Sequence, residues 1–167
     1  MSKTTDNLQA AFAGESQANR KYLFFSEKAD AAGKKQVARL FRAAAEAETV
    51  HAHNHLKVLG QIKTERENLE VAIGGENYEF TQMYPAFIEQ AKKENNKAAG
   101  DSFNLANKVE QIHHKLFQAA LSDLQAGKAA KDAPYYVCQV CGNTVEGSAP
   151  DRCPICGSPK SKFKKID

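Results

Sequence analysis

A chain of 167 residues with 42% hydrophobic content has room for one full-sized domain with a packed core and a small appendage. Its 23 basic and 20 acidic residues are scattered, so the formal charge of +3 makes no stripe for nucleic acid and no polybasic cluster for a membrane surface. The polar opening MSKTTDNLQA lacks the apolar stretch of a signal peptide, and no later run approaches a membrane span, so a cytoplasmic protein is expected.

Four segments carry helical periodicity: 4–32, 34–59, 76–98 and 101–126. They are punctuated by Gly33, Gly60, Gly74-Gly75, Gly100 and Gly127, residues suited to helix ends. Helices of that size would be about 35 to 40 Å long, and the simplest packing is a four-helix bundle. The stretch QIKTERENLEVAI between Gly60 and Gly74 has the length of a crossover between bundle halves and can itself be helical. Pro85 lies inside the third helical pattern and predicts a kink there. KAAKDAP reads as a linker, and YYVCQVCGNTVEGSAPDRCPICGSPKSKFKKID has strand and turn composition. The expected class is therefore mainly α, a bundle over 1–133 followed by a small β-rich domain over 134–167.

The apolar stripes of these helices contain acidic residues. Glu15 falls among Leu8, Ala11, Phe12, Ala18 and Tyr22. Leu40, Phe41 and Ala44 lead into Glu48 and His51; Phe103 and Ala106 lead into Glu110 and His113; Glu76 and Glu79 are one turn apart, with Met83 and Phe87 continuing their stripe. Burying an ionised carboxylate without a partner costs several kcal/mol, and too few basic groups point inward to pair these. A single Glu-x-x-His is ordinarily a solvated helix face. Two copies 62 positions apart, with matched glutamates, point instead to a di-iron or di-manganese carboxylate site. His53, His55 and His114 read as structural or surface residues, and Tyr22 and Tyr84 as core residues whose hydroxyls need partners.

All four cysteines fall between 138 and 156. Cys138-x-x-Cys141-Gly and Cys153-x-x-Cys156-Gly form two knuckles whose thiolates can converge on one tetrahedral metal, zinc or iron. A disulfide pair is a poor alternative in a reducing compartment. Tyr135, Tyr136, Ile155 and Phe163 are placed to shield the site.

Taken together, FAGESQANRKY, EAETVH, GENYEFTQMYP, VEQIHH, YVCQVCG and CPICG resemble the rubrerythrin family over almost the whole chain. The resemblance implies a ferritin-like bundle with a di-iron centre and a C-terminal rubredoxin-like Fe(Cys)4 domain, two Fe and one Fe per chain. It implies the two-electron reduction of hydrogen peroxide to water, fed by an external electron donor such as rubredoxin or an NAD(P)H-dependent reductase. It places the metal ligands on Glu15, Glu48, Glu76, Glu79, Glu110 and His113, with His51 joining in the reduced state, and on Cys138, Cys141, Cys153 and Cys156. Glu79, His51, Tyr22 and Tyr84 are the expected catalytic set. It further implies a homodimer in which one chain's cysteine site lies near the other's di-iron site. Phe80 stands where relatives often carry Trp, and the loop from Cys141 to Cys153 is shorter than in free-standing rubredoxins.

A charge count rationalises the exchange of ligands. Five carboxylates leave a net positive charge against two Fe(III) and a net negative one against two Fe(II), so neutral His51 replacing Glu79 restores balance on reduction. The alternatives are a ferroxidase or iron-storage protein built on the same bundle, and a metal-binding electron carrier without turnover.

Overall fold

The computed structural model describes residues 2–129 and 132–167. The linker expected at 128–134 includes residues 130 and 131, which lie outside that set. The chain forms two compact units, Met1–Lys63 and Thr64–Asp167.

The first unit is a helical hairpin of α1 (Lys3–Ala31) and α2 (Lys35–Val58). Ser2 caps α1 by accepting the Thr5 N–H, satisfying one of the amides that a helix start leaves unpaired. Gly33, at φ 70°, closes α1 in the left-handed conformation that costs glycine least. The helices meet across small residues: Ala38 and Ala45 are buried, which lets the backbones approach. Asn19 joins them, donating from Nδ2 to the Ala45 carbonyl at 2.7 Å and to Thr49 Oγ1 at 2.8 Å.

The second unit contains α3 (Glu65–Tyr78), a π-helical turn over Glu79–Met83, α4 (Tyr84–Lys93) and α5 (Lys97–Gln125). The third helix therefore starts far earlier than its periodicity suggests. Gly74 and Gly75 do not end it; they sit inside α3 with negative φ, and a capping box at Thr64 and Glu67 fixes the true start. Gly100 is likewise no terminus: it is buried inside α5, where a Cβ would meet the Ala91 Cβ of α4 at 3.8 Å. Asn95, at φ 55°, makes the turn between α4 and α5 instead. Ahead of Pro85, the Tyr84 N–H reaches the Glu79 carbonyl five residues back, so a π turn stands where the kink was expected.

The cysteine-bearing part adds a three-stranded antiparallel sheet, β1 (Tyr135–Cys138), β2 (Thr144–Glu146) and β3 (Phe163–Ile166), in the order β2-β1-β3. The register pairs Val137 with Thr144 and Cys138 with Phe163, so the strands carry both the first cysteine and the residues around it. Among the described residues, no helix is long and apolar enough to cross a membrane.

Thr64→Ala removes the cap of α3. It is expected to lower the stability of the metal-free protein by about 1 kcal/mol in urea denaturation, with little change in helix content before the transition.

Candidate metal centres

Each unit brings two glutamates and a histidine together. In the first, Glu15 of α1 meets Glu48 and His51 of α2; in the second, Glu76 of α3 meets Glu110 and His113 of α5, with one ligand atom per residue within 4.8 Å of the others in each triad. The spacing i to i+3 explains the helical half of each triad, because such residues share a face. His51 Nδ1 lies 2.9 Å from Glu48 Oε2, and His113 Nδ1 lies 2.8 Å from Glu110 Oε2. Two ligands with bonds of about 2.1 Å at a right angle are about 3 Å apart, so both contacts have the span of two neighbouring ligands on one metal ion.

Electrostatics in the second triad leave room for a cation. Glu76 Oε2 is buried with no hydrogen-bond partner and sits 3.8 Å from His113 Nδ1. Burial first, and then the neighbouring Glu110 carboxyl, push the Glu76 pKa up to about 7. His113 is held above its ordinary pKa, first by the Glu110 carboxylate on its ring. The residues fit a metal: an unpartnered buried oxygen, carboxylate and imidazole donors, and a local surplus of negative charge.

Glu79 opens the π turn and stands outside the triad, yet close enough that burial and then the Glu110 charge raise its pKa. Tyr84 lies within the same field. Burial, followed by the charges of Glu110, Glu79 and Glu76, raises its pKa and keeps the hydroxyl protonated. Its ring packs 6.3 Å from both Phe87 and Phe103. Tyr22 has the equivalent neighbours in the first unit, Phe25 at 6.3 Å and Phe41 at 6.0 Å. These trios escaped the sequence reading, although the signal was available. Tyr22, Phe25, Phe41, Glu48 and His51 recur as Tyr84, Phe87, Phe103, Glu110 and His113, all at an offset of 62.

His53 and His55 join neither triad. His114 Nδ1 meets the Ile73 carbonyl at 3.2 Å and its ring meets Phe80 edge-on at 5.4 Å, contacts that fasten α5 to α3 and to the π turn.

The four cysteines converge. Cys138 and Cys156 Sγ are 3.7 Å apart, and Cys141 and Cys153 Sγ are 3.6 Å apart. That is far beyond a disulfide bond and near the edge, about 3.8 Å, of a tetrahedron with metal–sulfur bonds of about 2.3 Å. The two knuckles are built alike. Gly142 N–H donates to the Cys138 carbonyl at 2.8 Å and Gly157 N–H to that of Cys153 at 2.9 Å, each glycine at positive φ. The Ser158 hydroxyl beside Cys156 lowers that thiol to about pKa 6, while burial raises Cys141. Tyr135, with Leu69, Glu76, His113, Phe117 and Thr144, lines a cavity of about 470 Å³ beside the second triad.

The knuckle lies against the same chain's α5. A Cβ on Gly142 would touch Val109 Cγ1 at 3.7 Å, and Thr144 Oγ1 meets His113 Nε2 at 2.9 Å. The resemblance implies an approach from a partner chain; in this chain, strand β2 and the glycine-lined knuckle provide one from within.

A carboxylate–histidine donor set for two irons, followed by a tetrathiolate site for a third, defines a non-haem di-iron protein with an appended rubredoxin-like centre. The sequence profile described as Rubrerythrin matches residues 6–121, and that described as Rubrerythrin, rubredoxin-like domain matches 136–164. The chain belongs to the rubrerythrin family. Rubrerythrin-2 of Clostridium acetobutylicum is 37% identical, with 96% of this chain and 95% of that one covered. Nigerythrin of Nitratidesulfovibrio vulgaris is 35% identical over 96% and 85%. The solved structure of nigerythrin in its mixed-valent state is similar with a TM-score of 0.59 at 34% identity, covering 99% of this chain and 88% of that chain. The mainly α class, a ferritin-like bundle followed by a small rubredoxin-like domain, holds.

The raised pKa values of Glu76, Glu79 and His113 share one consequence. Folding takes up protons at each, so the stability they contribute is complete below their unfolded pKa values and is lost as pH rises through the folded ones. Metal-free protein should therefore lose stability between about pH 4.5 and 7 through Glu76. Urea titrations at a series of pH values, with and without Fe(II), should show metal removing or reversing that loss, because bound metal takes the place of the proton.

Proposed function

We propose that this chain is a peroxide reductase, converting hydrogen peroxide to two waters with two electrons and two protons. The reading is supported by one juxtaposition: a triad rich in carboxylates and a tetrathiolate knuckle share one compact unit. An oxidising site with a built-in electron entry suits repeated reduction of a small oxidant better than storage of iron.

Iron, when bound, supplies the electrons and Lewis acidity at the carboxylate site and one-electron transfer at the tetrathiolate. Glu15, Glu48, Glu76, Glu79, Glu110 and His113 are the ligand set we assign, with His51 and Glu79 as the interchangeable pair. The two histidines differ in the way this requires: His51 contacts Glu48 through Nδ1 and is 54% exposed, whereas His113 is held through both ring nitrogens and is 27% exposed. Glu79, at the head of a π turn, sits where the backbone departs from the regular helical ladder. The Tyr84 hydroxyl holds its proton beside three carboxylates, and Tyr22 occupies the equivalent aromatic setting; we assign both to the catalytic set. The bundle domain, 1–133, carries out the reduction and the cysteine domain, 134–167, passes electrons to it. We assign the protein to the cytoplasm as a homodimer, served by an external donor such as rubredoxin or an NAD(P)H-dependent reductase.

Fully reduced, iron-loaded protein mixed anaerobically with peroxide in a stopped-flow instrument should oxidise much faster than the same protein mixed with dioxygen. Equal or faster oxidation by dioxygen would make the ferroxidase reading the better one.

His51→Ala separates a conditional ligand from a permanent one. The oxidised protein should load iron almost as the parent does, while single-turnover oxidation of the reduced protein by peroxide slows by about tenfold or more. His53→Ala should change neither, since His53 is exposed and outside the triad. An oxidised H51A protein that fails to load iron would make His51 a permanent ligand.

A further inference from the structure

Between α3 and α5 the second triad continues into the cavity of about 470 Å³. Glu76 and His113 stand at one end, and Leu69, Leu116, Phe117 and Ala120 form the walls. Leu69 lies seven residues before Glu76 and Ala120 seven after His113, so on each helix the wall runs two turns, about 10 Å, away from the carboxylates. A second cavity of about 310 Å³ shares Leu69, Leu116, Ala120 and Tyr135 with the first and reaches exposed Glu65, Asp123 and Lys128, so the far end leads to solvent. Hydrogen peroxide is polar at both ends and finds no hydrogen-bond partner along such walls. An apolar cavity of about 150 Å³ is already enough to hold benzene, so the space suits a molecule with an apolar body and a small polar head. The head would face Glu76 and Glu110. Two carboxylates repel an anion, which excludes a fatty acid or a phosphate ester, and a cation would compete with the metal for the same oxygens. A hydroperoxide group is uncharged at neutral pH, donates one hydrogen bond and carries the same oxygen–oxygen bond as hydrogen peroxide.

We propose that this cavity holds the alkyl or aryl group of an organic hydroperoxide, which the protein reduces to the corresponding alcohol and water. The inference rests on the peroxide-reductase reading and extends it to a second class of substrate. The oxygen–oxygen bond breaks and one new O–H bond forms on each oxygen, so each turnover takes two electrons and two protons. The electrons come from the same external one-electron donor and the protons from solvent. The walls supply the discrimination. Leu69, Leu116, Phe117 and Ala120 offer only apolar surface, so a larger hydrocarbon group removes more of it from water and binds better until the space is full. Ala120 is the narrowest side chain of the four and is exposed, so a larger residue there has room to be accommodated while it shortens the cavity.

The test uses the full iron-loaded chain and has a binding arm and a kinetic arm. In equilibrium dialysis against the oxidised protein, cumyl alcohol, the product from cumene hydroperoxide, should bind saturably, and anionic octanoate should bind about tenfold more weakly or less. Ala120→Phe and Leu69→Phe, which place a ring in the walls, should each weaken cumyl alcohol by about tenfold or more, whereas Ala120→Ser should not. In anaerobic single turnovers the reduced parent should be oxidised about tenfold faster by cumene hydroperoxide than by tert-butyl hydroperoxide at equal low concentration. The two Phe variants should lose that preference while their rates with hydrogen peroxide stay within about twofold of the parent, which also reports that they are folded and loaded. Absence of saturable cumyl alcohol binding would overturn the proposal, as would octanoate binding equally well. So would a rate that falls from tert-butyl to cumene hydroperoxide, or Phe variants that keep parental binding and preference. Fast oxidation by cumene hydroperoxide with slow oxidation by hydrogen peroxide would support this inference and sink hydrogen peroxide as the substrate; the reverse result would overturn this inference alone.

Discussion

The interior of the second unit holds more carboxylate oxygen than its own donors can satisfy, and the site is built around that excess. Glu76 Oε2 is buried and unpartnered, Glu110 has His113, and Glu79 stands near enough to feel both. Without metal the protein answers with protons: burial and neighbouring charge raise the pKa values of Glu76 and Glu79, and His113 holds its proton more tightly. Each of these costs something, because a proton neutralises one charge where a divalent ion neutralises two and is also coordinated by the freed oxygens. The same surplus explains why Tyr84 is a poor acid. Burial and three carboxylates nearby oppose its ionisation, which keeps its proton in place beside the carboxylate cluster.

Repetition solves the construction of such a site cheaply. The 62-residue offset carries across a tyrosine, two phenylalanines, a glutamate and a histidine, and it also maps buried Ala38 onto buried Gly100. Small residues at that level let paired helices approach, and the aromatic trio fills space beside the ligands in both copies. The copies are not identical. The second has a π turn at Glu79 and a sheet bearing on its histidine; the first has neither, and its histidine is the more exposed.

How much of this could be read from the sequence follows from the range of the interactions. The Glu-x-x-His pairs were legible because residues three apart share a helix face whatever surrounds them, and the cysteine knuckles because their spacing is itself the geometry. The start of α3 is set by the Thr64-x-x-Glu67 capping box rather than by Gly74-Gly75, because the box satisfies unpaired amides whereas a glycine pair only weakens a helix. Gly100 misled for a related reason: its want of a side chain serves packing against Ala91, a partner the local sequence does not reveal. Glu79 lies where the 3.6-residue period stops applying, so the sequence could not separate it from Glu76. The Thr144 contact spans 31 positions and follows from strand register, which motifs do not encode.

The asymmetry between the two histidines has a physical logic of its own. A ligand that must exchange needs a small barrier, hence few contacts and access to solvent; a ligand that must stay needs its second nitrogen occupied. His51 has the first environment and His113 the second. The side-chain group on the second nitrogen of His113 is Thr144 of strand β2, so the contact that holds the ring also brings it beside the cysteine knuckle. The difference between the held and the exposed histidine thus follows from which copy of the repeat carries the sheet, rather than from the Glu-x-x-His pairs themselves.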